Sequence, residues 1–188
     1  FVHHCLKPKK TILTNLHHDI DYDYLSDKYS GIVVDAYRLP YIPWHLTTKE
    51  FFLETKSLLS PTGVLAINVG RTNTDRRLVD ALSATLLSVF PTVHVIDVPD
   101  TFNSILVATN TTTSANNLQH NLSSLDQNVH ALLPLMLAKT INNLVPTQPS
   151  DMIFTDDRAP VEHLTDSILL NYLLGSATDK NFTAGPEL

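Results

Sequence analysis

An apolar run that ends in an acidic residue and leads into a proline-containing loop constrains the fold more than any other feature of this chain. The run is residues 31–34, the acid is Asp35, and Pro40 and Pro43 lie in the loop. A short apolar run bounded by turn residues is typical of a strand buried on both faces. In open α/β sheets, ligands bind outside the carboxyl ends of such strands. The sequence therefore predicts that Asp35 binds a ligand, and the alternative is that it caps the loop.

Other strands and helices follow from the spacing of apolar residues. Strands are expected at 11–16, 64–69, 92–98 and 104–108, and helices at 49–59 and 75–90. Thr48 is the expected N-cap of the first helix, and residues 60–63, Ser-Pro-Thr-Gly, are expected to stop it. This order of elements predicts an α/β fold with a largely parallel sheet. The last strand is expected to run antiparallel because a tight connection joins it to the strand before.

The composition changes near residue 110, where Thr, Ser, Asn and Gln become frequent. Apolar spacing predicts helices around 118–125 and 129–144, and a third at 163–174 that Gly175 closes. We therefore divide the chain into a sheet domain at 1–112, a helical appendage packing on it at 113–176, and a frayed tail at 177–188.

The composition indicates which binding partners and which cellular compartment to expect. The formal charge is -6, and the 13 Lys and Arg residues are scattered, so nucleic acid is not an expected partner. A single cysteine excludes an intrachain disulfide and is typical of a reducing compartment, which favours the cytoplasm. No run approaches the ~20 apolar residues of a membrane span. The chain begins at Phe1 rather than Met, so we expect it to be part of something longer.

Four segments together resemble one family. They are Val-Asp-Ala-Tyr at 34–37, Ile-Pro-Trp-His-Leu-Thr at 42–47, Gly-Val-Leu-Ala-Ile-Asn-Val-Gly at 63–70, and Thr-Asp-Asp-Arg-Ala-Pro-Val-Glu at 155–162. The chain is similar, from about 16 to 174, to the C-terminal half of spermidine synthase-like proteins, the polyamine aminopropyltransferases. The closest likeness is to the branch fused to membrane transporter-like segments. The resemblance implies the C-terminal half of a Rossmann-like sheet of the AdoMet-dependent methyltransferase type.

The resemblance also implies a reaction. Family members move an aminopropyl group from decarboxylated S-adenosylmethionine to an amine, so a small-molecule amine and either this donor or S-adenosylmethionine are the expected ligands. The attacking amine is mostly protonated at neutral pH, and a carboxylate is needed to attract it and take its proton. By resemblance, Asp35 and Tyr37 contact substrate or cofactor, Asp19 contacts adenine, and Gly70 lies at the rim of the site. For Asp19 the alternative is a solvated acidic turn.

Further residues are implied to support the site. The resemblance brings residues 155–162 near the loop after Asp35, with Arg158 paired to a carboxylate and with support from Asp156, Asp157 and Glu162. The alternative is a helix start, where acidic residues complement the helix dipole. His45 is expected to line a substrate pocket, or else to pack against the edge of the sheet.

The chain also departs from the family pattern. Arg38 stands where spermidine synthases carry the base, and arginine can neither accept the proton nor attract a diamine. The glycines, at 31, 63, 70, 175 and 185, are too far apart to form a Gly-rich cofactor-binding turn. The other half of the site is therefore expected from a missing N-terminal half or from another chain. These departures favour an alternative function, a non-catalytic domain that lost its base and acts in assembly or regulation. Methyl transfer to another nucleophile ranks last.

The remaining expectations concern metals, oligomers and location. The cluster at 17–23 opens like an EF-hand loop, but Tyr24 stands at its glycine position and Ser30 at its bidentate Glu position, so no metal site is predicted. A homodimer is a further implication of the resemblance. The expected location is the cytoplasm. The likeness to the transporter-fused branch implies an alternative, in which the chain is the soluble cytoplasmic part of a membrane-anchored protein.

Overall fold

The computed structural model describes residues 3–7, 10–14, 28–36 and 41–178. In this part of the chain, seven strands form one sheet. The strands are β1 (His3–Lys7), β2 (Lys10–Thr14), β3 (Tyr29–Val34), β4 (Leu59–Gly70), β5 (Thr92–Asp97), β6 (Asn103–Thr109) and β7 (Leu144–Val145). The helices are α1 (Lys49–Leu58), α2 (Arg77–Leu87), α3 (Ala115–Ser123), α4 (Leu132–Asn142) and α5 (Val161–Thr178).

The sheet has the strand order β2-β1-β3-β4-β6-β5-β7. β3 and β4 are parallel, with Val34 opposite Ile67. β6 lies between β4 and β5 and is antiparallel to both. β3, β4 and β5 therefore run in the same direction, and β6 is the reversed strand between β4 and β5 in a Rossmann-like α/β sheet. The predicted α/β fold class with a reversed strand is confirmed, but the expectation of a largely parallel sheet is wrong, because among the described strands the parallel pair is β3 with β4 and the other pairings are antiparallel.

Both edges of the sheet differ from expectation. The strand predicted at 11–16 is observed as β2, but it belongs to an antiparallel hairpin with β1, and β1 pairs antiparallel with β3. At the other edge the helix predicted at 129–144 ends at Asn142, and the next residues form β7, which pairs with β5. A two-residue strand has no periodicity of its own, so tertiary pairing decides it.

Helix α1 ends at Leu58, just before residues 60–63 as expected, and these residues belong to β4, which begins at Leu59. The register with β3 shifts here: Tyr29 pairs with Leu59, and the next pair is Gly31 with Val64. Pro61 therefore lies in an irregular stretch, outside the regular ladder that begins at Val64. Proline is tolerated in strands at such bulges.

Helices α1 and α2 form where local signals predicted helices. The Thr48 side chain caps α1 by accepting a hydrogen bond from the backbone N–H of Phe51 at 3.2 Å. α2 buries an apolar face that includes Leu78, Leu82 and Leu86. Both helices share one hydrophobic core with the sheet.

The two faces of the sheet are not equally covered. In β4, Leu65, Ile67 and Val69 are buried, while Ala66 and Asn68 between them are only half-buried. β6 alternates in the same way. Because successive side chains of a strand point to opposite faces, one face packs in the core and the other remains partly accessible. The continuous apolar run at 64–69 predicts a second strand buried on both faces, and that expectation is wrong for β4.

The C-terminal region shares the same core. Phe154 is fully buried, and α5 contributes Val161, Leu164 and Ile168. The helix continues through Gly175 to Thr178, so the expected helix end at Gly175 is wrong. Among the described residues, no helix is both long enough and apolar enough to cross a membrane. The division at residue 112 stays a prediction.

Candidate functional site

The carboxyl ends of β3 and β4 bring together an acid and an amide. Asp35 directly follows β3 and is exposed, while Asn68 lies near the end of β4 and is half-buried. Because Val34 pairs with Ile67, the next residues on the two strands are neighbours on the accessible face. The Asn68 Nδ2 atom donates a hydrogen bond to Asp35 Oδ1 at 3.2 Å. Within the described ranges, no donor is found for the second oxygen of the Asp35 carboxylate.

Asn68 carries an acceptor with unused capacity. Its Oδ1 atom is buried and has no hydrogen-bond partner among the described residues. A buried carbonyl oxygen without a donor costs roughly 1–3 kcal/mol. The edge of the sheet thus carries an exposed carboxylate and, buried beside it, an unpartnered amide oxygen, and both can accept hydrogen bonds. This arrangement suits a ligand that is rich in N–H donors, such as a protonated amine.

An ionic network lies at the same edge, on the face covered by α2. Arg76 donates two hydrogen bonds to the Asp97 carboxylate, at 2.8 and 3.0 Å. Ser104 Oγ donates to Asp97 at 2.7 Å, and Arg71 Nε donates to Ser104 Oγ at 3.0 Å. Burial would raise the pKa of Asp97, but the hydrogen bonds from Arg76 and Ser104 and the two positive charges outweigh it and lower that pKa. The network fixes the loop after β4 to β5 and β6.

A second acid holds the same loop at the start of α2. Arg77 Nη2 donates to Asp75 Oδ2 at 2.7 Å, and the Asp75 backbone N–H donates to Thr72 Oγ1 at 2.9 Å. The hydrogen bond from Arg77 is the main cause that lowers the pKa of Asp75, against the opposing effect of burial. An open cavity of about 500 Å³ lies next to this loop, lined by Arg71, Asn73 and residues 98–102.

The structure places some of the predicted site residues and not others. Asp35 lies at the carboxyl edge as expected, and Gly70 ends β4 at the same edge, paired with Asn103. Tyr37 and Asp19 lie outside the described residues. His45 is exposed in a 3-10 turn, and its ring contacts Trp44 edge-on at 5.8 Å. Whether these residues bind a ligand stays a prediction.

Residues 155–158 form a tight turn against the start of α1, where Thr155 and Arg158 exchange backbone hydrogen bonds. The N–H of Asp156 donates to Glu50 Oε2 at 3.1 Å. Asp157, Arg158 and Glu162 are exposed. No ion pair of Arg158 is found within the described part of the chain, where the arginines in ion pairs are Arg71, Arg76 and Arg77. The predicted partnership of Arg158 with a carboxylate is therefore not seen.

Sequence reasoning missed Asn68 and the network around Asp97. A signal for Asn68 was present, since it is the polar residue within the apolar run 64–69. Residues of this kind in a buried strand need a partner, and Asn68 has an unpartnered oxygen. No comparable signal marks the network, because Arg71, Asp97 and Ser104 meet only when β6 inserts between β4 and β5.

Comparisons with known proteins point to one family. A stretch of 72 residues is 46% identical to the polyamine aminopropyltransferase of Vibrio vulnificus (strain CMCP6), covering 38% of this chain and 23% of that protein. A probable polyamine aminopropyl transferase from Bifidobacterium longum (strain NCC 2705) is 29% identical over 163 residues, covering 76% of this chain and 36% of the relative. The chain is similar to polyamine aminopropyltransferases.

This likeness confirms the resemblance noted from the four sequence segments. The chain spans about a quarter to a third of the length of these curated relatives. No family model matches it. The likeness to the transporter-fused branch stays a prediction.

Solved structures overlap with this chain only in part. A probable spermidine synthase from Corynebacterium glutamicum ATCC 13032 has 27% identity and a TM-score of 0.41, over 50% of this chain and 38% of that one. A spermidine synthase in complex with the transition state analogue AdoDATO has 14% identity and a TM-score of 0.45, over 66% and 43%. Human methyltransferase-like protein 13 in complex with SAH has 21% identity and a TM-score of 0.43, over 75% and 64%.

Proposed function

We propose that this chain forms the amine-binding part of an aminopropyltransferase site. The observation that carries the proposal is the pair formed by Asp35 and Asn68 at the carboxyl edge of β3 and β4. Asp35 attracts a protonated amine by charge, and Asn68 Oδ1 accepts one of its N–H groups. The similarity to polyamine aminopropyltransferases supplies the reaction type.

The reaction fits the roles of these two residues. The amine nitrogen must lose a proton before its lone pair can form the new N–C bond, and Asp35 holds that proton or passes it to water. Asn68 fixes the direction of the amine, because its Nδ2 is tied to Asp35 while its buried Oδ1, which has no partner among the described residues, accepts from the amine once the ligand enters. A bound decarboxylated S-adenosylmethionine would supply the aminopropyl group on a sulfonium, which leaves as a neutral thioether without an acid.

The described residues fit the amine better than they fit the donor. A donor of this class needs a Gly-rich turn for close approach of the backbone. Gly31 lies inside β3, Gly63 and Gly70 lie in β4, and Gly175 lies in α5, so these glycines do not form such a turn. We therefore assign the adenosyl-binding residues of the proposed site to another segment or another chain. S-adenosylmethionine itself is the alternative donor, and the cytoplasm is the proposed location.

The experiment compares Asp35→Asn with the unmodified protein, and both are expressed from the full gene. Putrescine and spermidine are offered with decarboxylated S-adenosylmethionine, and products are detected by mass spectrometry. Loss of one charge next to an ammonium is expected to raise KM for the amine about tenfold or more. Asp157→Asn, in the exposed turn before α5, tests whether an acid of that turn contributes as well. Equal amine binding in Asp35→Asn and unmodified protein would reject the role of Asp35.

The comparisons lend no support to the non-catalytic alternative, since both curated relatives are described as aminopropyltransferases. We therefore do not propose it. The same product assay addresses it directly, because turnover of any amine contradicts a purely structural role.

A further inference from the structure

α5 contacts loops that follow three strands at the carboxyl edge of the sheet. The first of these loops follows β3 and leads into α1. Here the Tyr41 hydroxyl donates a hydrogen bond to Oδ1 of Asp166, with an O···O distance of 2.6 Å. An O–H···O⁻ bond of this length to a carboxylate belongs to the strong class. The contact joins residues 125 positions apart in sequence.

The next two contacts follow along the same helix. Ser167 Oγ accepts a hydrogen bond from Arg77 Nη2 at 3.0 Å, and Arg77 also holds Asp75 in the loop after β4. The Tyr172 ring packs edge-on against Phe102 in the loop after β5, with ring centroids 5.3 Å apart. One helix therefore reaches all three loops.

The geometry of α5 suits a rigid connection. Asp166 and Tyr172 are six residues apart, about 9 Å along a helix axis. Val161 and Leu164, which precede Asp166, and Ile168, which lies between Asp166 and Tyr172, are buried in the shared core. A helix held in this way cannot shift relative to one loop without disturbing its contacts with the others.

We call the connection from Asp35 to α1 the amine-binding loop. We propose that α5 positions this loop, and that Asp166 is a positioning residue that acts through Tyr41. The inference rests on the proposed function. The connection from Asp35 to α1 is anchored at its start by buried Ala36 and further on by buried Ile42. Tyr41 lies beside the second anchor, so its hydrogen bond adds a fixed point where the loop rejoins the core ahead of α1. α5 thereby sets the geometry of the amine site without touching Asp35.

The Tyr41 hydroxyl keeps its proton beyond neutral pH. The hydrogen bond to Asp166 is the main cause that raises the pKa of Tyr41, and the charges of Asp166 and Glu162 act in the same direction. The hydroxyl therefore remains a donor at neutral pH and well into the alkaline range.

The test uses Tyr41→Phe, Asp166→Ala and the double variant, with His163→Gln as the matched control. His163 is exposed on the same helix, one turn before Asp166. Two quantities are measured: kcat and KM for putrescine, and the hydrogen exchange rates of backbone amides at 42–48. Both single variants should raise KM about tenfold with kcat changed less than twofold, and should speed exchange at 42–48. The double variant should match the single ones, because all three remove the same hydrogen bond.

Several results would overturn the inference. One is a KM equal to that of His163→Gln, and another is a fall in kcat without a rise in KM. Unchanged exchange at 42–48 would show that α5 does not hold the loop. If Asp166→Ala fails to fold, Tyr41→Phe provides the same test. An unmodified protein that turns over no amine would reject the proposed function and the role of Asp166 in it, while the exchange rates would still show whether the helix fixes the loop.

Discussion

The side chains of Asp35 and Asn68 join the ends of two parallel strands through a hydrogen bond of 3.2 Å. Asp35 is exposed and readily hydrated, whereas the Asn68 carbonyl oxygen is buried without a partner. The unpartnered Asn68 oxygen therefore lowers the free energy of unfolding. Residues that break a local rule of folding without a local gain are expected at functional sites.

Replacing Asn68 by leucine should separate stability from binding. Asn68→Leu removes the orphan oxygen and fills a similar volume, so the free energy of unfolding should stay the same or rise by up to about 1 kcal/mol. Amine affinity should fall about tenfold, because the second acceptor is lost. Denaturant unfolding and calorimetric titration with putrescine measure the two effects. Asn121→Leu, on the exposed side of α3, is the control, and a large loss of stability in Asn68→Leu alone would assign Asn68 a structural role.

The network around Asp97 should make stability depend on pH in the acidic range. The pKa of Asp97 in the folded protein is lowered from the ordinary value of 3.8. The contribution of the ionised Asp97 to the free energy of unfolding is therefore complete above pH 3.8 and is lost as pH falls through the lower folded-state pKa. Asp97→Asn should destabilise the protein by about 2 kcal/mol between pH 5 and 8, because Arg71, with a side chain only 8% exposed, loses its partner. The difference from the unmodified protein should shrink below about pH 4.

The measurement is urea unfolding at several pH values. Asp100→Asn in the neighbouring turn is the control, since Asp100 is exposed and asparagine tolerates its positive φ of 59°. A difference between Asp97→Asn and the unmodified protein that stays constant down to pH 2 would contradict the account of the network.

Two glycines should respond to alanine with opposite signs. At Gly63 an added Cβ would lie 2.9 Å from the backbone oxygen of Tyr29 and 3.0 Å from Leu59 side-chain atoms, and backbone at this bulge has little room to shift. Gly63→Ala should therefore destabilise by about 1–3 kcal/mol. At Gly175 no atom lies within 4 Å of an added Cβ, and the residue is in the interior of α5. Gly175→Ala should stabilise by about 0.5–1 kcal/mol.

Thermal unfolding of the two variants gives the comparison directly. Equal effects at both positions would show that the close contact at Gly63 does not constrain β4. A destabilised Gly175→Ala would show that α5 does not extend past this residue in solution.

Local signals predicted most of the elements near the site. The apolar runs of β3 and β5 and the cap at Thr48 lie where expected, because period and capping are properties of a few neighbouring residues. Asp35 at the carboxyl edge follows from the same run. Gly175 was misread because glycine is a frequent helix terminator. In α5 the anchoring of the helix by buried Val161, Leu164 and Ile168 outweighs that preference.

What could not be predicted depends on pairs that are distant in sequence. The hairpin of β1 and β2, the short β7 and the network of Asp97 each form through partners that tertiary structure selects. The contact between Tyr41 and Asp166 is of the same kind. Neither residue has a local pattern that marks it, so the role of α5 emerges only from the fold.

The segment after residue 112 should unfold together with the sheet. The buried Phe154 backbone N–H donates to Thr85 Oγ1 at 3.0 Å, and both residues are fully buried. Thr85→Val keeps the shape but removes the acceptor, so it should destabilise by about 1–3 kcal/mol. Because Phe154 belongs to the shared core, we expect one cooperative transition in both proteins.

Ser83→Ala on the same helix is the matched control. Ser83 Oγ is buried and has no hydrogen-bond partner among the described residues, so its removal should be neutral or stabilising. Denaturant unfolding is followed by tyrosine and tryptophan fluorescence and by circular dichroism. An early separate transition in Thr85→Val, with the sheet unfolding later at its normal midpoint, would show that residues 113–176 form an independent unit. Coincident transitions would show that the Thr85–Phe154 contact joins the C-terminal region to the sheet in one folding unit.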